Sequence, residues 1–350
     1  MARRVDQPAT LAWVLSAAVL VTWSPDNLAW RQAATNEVIA LAGQLGWVEL
    51  AMDARNLRSA MLEELADFGH ADADRASVER WATESRRPFF TALAAMRRAG
   101  RALLQGRYHD AEDQAGQMLA AGSGSPDFIA AYGAQLLFLR RDQGRLAEID
   151  ALVAAQLAEA PHLPGWQVAQ AVVDAGLDRR TAARRRLAAL AAGLPRDWLW
   201  LATTALLADV CADLGAVEAA EDLRAALSPF SGRVAVLGHG IAATGAVDGP
   251  LGRLETLQQQ WVAAERHLAA AIALNRRIGA APALARAQLA YAGLLLRRGD
   301  PGDRGQAAAL LDEASATAGR LGMAGLQPAL RQARTTVRAP QENRKYAPRS

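Results

Sequence analysis

One stretch has the spacing of a cofactor fingerprint. Arg233-Val234-Ala235-Val236-Leu237-Gly238-His239-Gly240-Ile241-Ala242-Ala243 reads as an apolar run followed by Gly-x-Gly-x-x-Ala. In a dinucleotide-binding βαβ unit of about 30 residues, such glycines let the backbone approach a pyrophosphate, and an acidic residue about 20 positions on holds the ribose hydroxyls. Glu255 lies at a tolerable distance, but Gly249-Pro250 interrupts the would-be helix, and residues 251–260 carry no strand pattern. A nucleotide-cofactor enzyme built around Gly238 is therefore the alternative reading. The other chemistry-bearing residues are scattered. His70, His109, His162, His239 and His267 show none of the paired spacings that put two metal ligands on one face. Cys211, the only cysteine, sits in the apolar run 206–214 and reads as a small core residue. Lys345 is the only lysine and precedes Tyr346, so no phosphate-binding loop ending in Lys-Ser or Lys-Thr exists. Arg179, Arg180, Arg184, Arg185 and Arg186 are the best anion-binding candidates. They spread over more than one helix face beside Asp174 and Asp178, so a solvated face is the simpler reading. Asp72 and Asp74 read as solvated surface. No catalytic, cofactor-binding or metal-binding residue is assigned, and no cofactor is expected.

Composition points to helices. The 350 residues include 82 alanines but only 5% aromatics, a balance that suits close-packed helices and not a β-sandwich. The net charge of +3 is carried by the tail 334–350, where five cations against Glu342 give +4 and leave the remaining 333 residues at −1. A nearly neutral body does not supply the basic face that nucleic-acid binding needs. Arginine in place of lysine throughout reads as composition bias. The apolar run 11–23 is too short to span a bilayer. It leads into Ser24-Pro25-Asp26, a helix start and not a cleavage site, so the expected location is cytoplasmic.

An internal repeat organises the chain. A helical run ending in glycine, a short turn and an Ala-rich helix recur at Gly106, Gly144, Gly176 and Gly215, then at Gln259 without the glycine, and at Gly299. The intervals are 38, 32, 39, 44 and 40 residues. Helix–turn–helix solenoids repeat every 34 to 47 residues or so. Glycine suits the left-handed residue past a helix end. An apolar residue two positions later should tuck under the turn, and a small one five positions on (Ala111, Ala220, Ala264) should let the helices close up. Apolar residues at three- and four-residue steps, such as Trp261, Ala264, Leu268, Ala271 and Ile272, mark helix faces. Ser125-Pro126-Asp127 marks a helix start, Asp303 with Gln306 fits an N-cap pair, and Trp166, Trp198, Trp200 and Trp261 read as core anchors.

Residues 11–330 resemble the tetratricopeptide-like helical region of large bacterial signalling ATPases, including LuxR-type and antibiotic-regulatory transcription activators and cyclase-linked ATPases. The likeness rests on residues 100–112 (GRALLQGRYHDAE), 131–145 (AYGAQLLFLRRDQGR), 264–275 (AERHLAAAIALN), 294–303 (LLLRRGDPGD) and 307–322 (AAALLDEASATAGRLG). The ATPase, helix-turn-helix and cyclase modules of those proteins have no counterpart here. The chain thus looks like the helical array alone, free-standing or a piece of a split or truncated regulator. The resemblance implies that 233–243 starts a repeat helix. It also implies a sensing or restraining role toward a partner, with a P-loop ATPase or transcription-regulator subunit as candidates.

The resulting expectation is an all-α, right-handed α-solenoid of six to eight tetratricopeptide-like hairpins over residues 11–333, flanked by loose ends at 1–10 and a basic disordered tail at 334–350. Its extended concave surface would bind a protein or peptide partner, or a small-molecule effector, with no direct nucleic acid, no membrane and no bond-making chemistry.

Overall fold

The structure is a computed structural model that describes residues 7–122, 124–191 and 193–339. Within them the chain forms seventeen α-helices and one β-hairpin. The helices are α1 (Pro8–Val21), α2 (Leu28–Leu45), α3 (Val48–Glu64), α4 (Phe68–Ser85), α5 (Pro88–Gln105), α6 (Tyr108–Ala121), α7 (Pro126–Gln143), α8 (Asp150–Glu159) and α9 (Pro164–Gly176). After α10 (Arg180–Ala191), α11 (Trp200–Leu214) and α12 (Val217–Leu227) come strands β1 (Val234–Leu237) and β2 (Ala242–Ala246). The chain continues through α13 (Asp248–Leu257), α14 (Trp261–Arg277), α15 (Ala281–Arg298), α16 (Asp303–Leu321) and α17 (Gln327–Arg338). The all-α expectation holds apart from that hairpin.

Each helix packs on its successor, so the hairpins are piled in file. The same turn recurs between partners. In α5–α6 the Arg107 N–H donates to Ala102 O at 2.9 Å, with Gly106 left-handed between them. Equivalent six-to-one bonds run from Arg145 to Arg140, Ala216 to Cys211, Gln260 to Glu255 and Arg179 to Asp174. Two copies dispense with glycine, since Gln259 and Asp178 take the left-handed position themselves. Gly176 is therefore two residues early. It ends α9, and its bare Cα admits the Leu146 side chain. Counted from the left-handed residue, the small side chain five positions on is buried each time: Ala111, Ala183, Ala220 and Ala264. The residue two positions on is less regular, with Tyr108 and Leu146 buried but Val217 54% exposed.

Several local expectations need correction. Asp303 is not an N-cap. Gly302 occupies that place, and the Asp303 carboxylate turns back to accept bonds from Arg298 and the Asp300 N–H. Asp74 is buried against α3, held by Arg55 at 2.9 Å and Arg58 at 2.6 Å. The helical body begins at Pro8 and runs to Arg338, so the described parts of the expected loose ends are mostly helical. The rest of those ends, 1–6 and 340–350, lies outside the described residues.

The largest departure is the hairpin. Residues 233–243 do not start a repeat helix. β1 and β2 pair antiparallel, Val234 opposite Ala246 and Leu237 opposite Ala242, with an irregularity between Val234 and Val236. The hairpin lies inside the curled array, touching α3, α5, α11, α14 and α15. The array bends far enough that α15 reaches α5 and the 3-10 turn Ala324–Leu326 reaches α7. A Cβ at Gly325 would collide with the Arg141 carbonyl. The inner face is therefore filled, not an open groove.

Candidate functional site

The hairpin turn is where distant parts of the chain meet. Leu237 accepts from the Ile241 N–H at 2.9 Å, and Gly238 and Gly240 both take positive φ, at 59° and 90°. A side chain at Gly240 would overlap the Arg97 guanidinium, so glycine is required by close approach as well as by conformation. The turn backbone is gripped by side chains from α5 and α7. Arg97 Nη1 donates to His239 O at 3.2 Å, and Gln135 Nε2 donates to Ile241 O at 2.8 Å. On the β2 edge, Asn275 Oδ1 accepts from the Ala246 N–H at 2.9 Å. An isolated two-stranded hairpin is at best marginal in water. Burial of Val234, Val236 and Leu237 stabilises this one by about 5–9 kcal/mol.

This geometry overturns the dinucleotide reading. The residues after Gly240 return as an antiparallel strand instead of opening a helix, and the two-stranded sheet provides no βαβ unit. Glu255 is buried in α13 against His267, whose Nδ1 lies 2.6 Å away.

Two narrow clefts flank the turn. The first, about 270 Å³ measured to its mouth, is lined by Trp23, Ala60, Glu64, Asp197, Trp198 and Gly238 among others. His239 sits beside it, stacked on Trp198 with ring centres 4.9 Å apart and edge-on to Trp23 at 4.7 Å. Burial, then the positive charges of Arg31 and Arg97, holds this imidazole neutral, its pKa pushed down to about 4. Trp198 is thus not a core anchor. It is 38% exposed and covers His239, whereas Trp166 and Trp200 are buried as expected. The buried Arg31 donates to Glu64 at 3.2 Å and lies 4.1 Å over the Trp23 ring. Arg233 reaches the other Glu64 oxygen at 2.8 Å. The Arg196–Asp26 pair ties the 193–199 loop across to the N-terminal helices.

The second cleft, about 200 Å³, is lined by Glu63, Phe68, Arg97, Gly100, Arg101, Leu104, Gly240 and Ala243. Arg97 Nη2 donates to Glu63 at 2.8 Å and to Ser59 at 2.9 Å. Burial raises the Glu63 carboxyl above its usual range, although Arg97, Arg75 and Arg101 oppose the shift.

The residues singled out from sequence fall elsewhere. Cys211 is buried, its thiol donating to Ala216 O at 3.1 Å, and burial pushes its pKa up to about 11. The arginines of α10 are divided among structural partners. Arg179 pairs with Asp150 and Asp174, Arg186 with Asp174, and Arg180 and Arg184 reach the Leu214 carbonyl at the end of α11. His70 and His109 make exposed pairs with Asp67 and Asp113. Among the described residues no group of three His, Cys, Asp or Glu could hold a metal ion, and no helix is long and apolar enough to cross a membrane. Arg31, Glu63, Glu64, Arg97 and Arg233 went unnoticed in the sequence, because each sits in an amphipathic helix or loop and is paired only by the fold. The sole local signal was the Gly238-His239-Gly240 turn after an apolar run. A scan against protein-family models finds no match to this chain, and a search of curated proteins finds no relative of it.

Proposed function

We propose that this chain is a non-catalytic interaction and regulatory module, a right-handed tetratricopeptide-like solenoid of a cytoplasmic bacterial signalling or transcription-regulatory system that binds a protein partner. Serial helix stacking and the recurrent turns support the solenoid. Because the hairpin fills the inner face, the binding surface is assigned to the outside. The observation that carries this reading is α1. Its sequence, PATLAWVLSAAVLV, has no charge, and Trp13, Val14, Ala17, Leu20 and Val21 form an exposed helical stripe, with Trp13 61% and Val21 86% exposed. Terminal units of a solenoid ordinarily turn a polar face to water, and a contiguous apolar stripe marks an interaction site. A partner offering an amphipathic helix would lay its apolar stripe on α1 as α2 does on the other side.

The test is a photo-cross-linking residue placed at Trp13 or Val21 in the native host, with Thr336 as an exposed control. A discrete protein adduct specific to positions 13 and 21 supports the assignment. Adducts indistinguishable from those at Thr336 contradict it.

A further inference from the structure

The second cleft carries an inference beyond partner binding. Three arginines converge on it from α4 and α5, with only two carboxylates among them. Arg97 bonds Glu63, Arg101 Nη2 donates to Asp72 at 3.3 Å, and Arg75 Nη1 lies 3.1 Å from the other Asp72 oxygen. Glu79, 3.6 Å from Arg75 Nε, is the next carboxylate along α4. Arg97 is only 3% exposed, yet its Nε is buried with no hydrogen-bond partner, and so is Nη1 of Arg101. Buried guanidinium donors left unsatisfied are costly, and an ionised oxygen acceptor satisfies them better than a neutral one. Arg101 also stacks on Phe68, 4.6 Å from the ring centre, which fixes the direction of its fork. At about 200 Å³ the cleft is smaller than the pockets that take drug-sized ligands, which begin near 300 Å³. Its occupant is therefore small.

We propose that the cleft between α4, α5 and the hairpin turn binds a small oxyanion (phosphate, sulfate or a carboxylate) on Arg97 and Arg101. The same Arg97 holds the His239 carbonyl, so an anion there tightens the grip of α5 on the hairpin turn. Glu63, also lining the cleft, restricts it to compact anions whose oxygens face the arginines.

The experiment is thermal unfolding of the purified chain in sodium phosphate, sulfate or acetate, each matched in ionic strength with sodium chloride. A saturable rise in Tm of about 2 °C or more over chloride is expected for at least one oxyanion. Comparison of the three salts distinguishes tetrahedral anions from carboxylates. Arg101→Gln removes the rise, Arg101→Lys retains part of it, and Arg184→Gln, on the distant α10, leaves it intact. Equal Tm in all four salts, or a rise undiminished in Arg101→Gln, overturns the proposal and leaves water as the occupant of the cleft.

Discussion

Replacing Gly100 by alanine sets two effects against each other. Gly100 lies inside α5, where alanine ordinarily stabilises a helix by about 1 kcal/mol. Here the new Cβ would lie 2.6 Å from the Ile241 carbonyl and 3.3 Å from that of Gly240. Both are backbone atoms of the hairpin turn and cannot swing aside as a side-chain end could. To reach even a tight 3.0 Å, helix and turn must separate by 0.4 Å. Overpacking of that kind costs about 1–3 kcal/mol. The shift also strains the Gln135 bond to the same carbonyl, worth about 1 kcal/mol. Packing outweighs propensity, so Gly100→Ala should destabilise by about 1–3 kcal/mol. Gly116→Ala, in α6 with nothing near its Cβ, should stabilise by about 0.5–1 kcal/mol. Urea unfolding of the two variants beside the parent gives both numbers. The reasoning fails if Gly100→Ala matches or exceeds the parent in midpoint with an unchanged slope.

Other outcomes follow from the same packing. Asn275→Ala leaves the Ala246 N–H buried without an acceptor and should lower stability by about 1–3 kcal/mol in the same urea assay. His239 takes up a proton at about 4 in the folded chain and near 6.5 in the unfolded one. Between those values the unfolded chain binds the extra proton, so the contribution of His239 is full at pH 7, declines as pH falls toward 4 and levels off below. His239→Phe, which keeps a ring between Trp23 and Trp198, should remove a slope worth on the order of 3 kcal/mol over that window; parallel profiles for parent and variant would contradict it. Cys211 should resist a thiol reagent in the native chain and react fully in urea, since its sulfur is buried and its thiol titrates only at about 11. Rapid native labelling would count against the packing of α11 on α12.

Much of the helical framework was legible because its signals are local. Ser125-Pro126-Asp127 opens α7 where expected, and Gly106, Gly144, Gly215 and Gly299 close helices in left-handed geometry. The register slipped only where another residue took the glycine's place, as Asp178 did. The hairpin was not legible because nothing local stabilises it. Its turn is held by Arg97 and Gln135, 142 and 106 residues away from the carbonyls they reach. Its two strands have four and five residues, and β2 contains Gly245, so they carry little strand pattern of their own. The candidate sites suffer from the same distance problem. Arg31 and Arg233 meet on Glu64 from 33 and 169 positions away, and in sequence each looks like an ordinary surface cation. Asp74 looked solvated because Arg55 and Arg58 approach from the preceding helix.

Native-state hydrogen exchange of residues 234–246 measures most directly whether a two-stranded insert lies embedded at the centre of a curled helical array. The embedded arrangement predicts that the paired amides of β1 and β2 exchange as slowly as the core of α11, opening only with global unfolding. Exchange as fast as that of the exposed positions of α17 would contradict it and restore an open inner face.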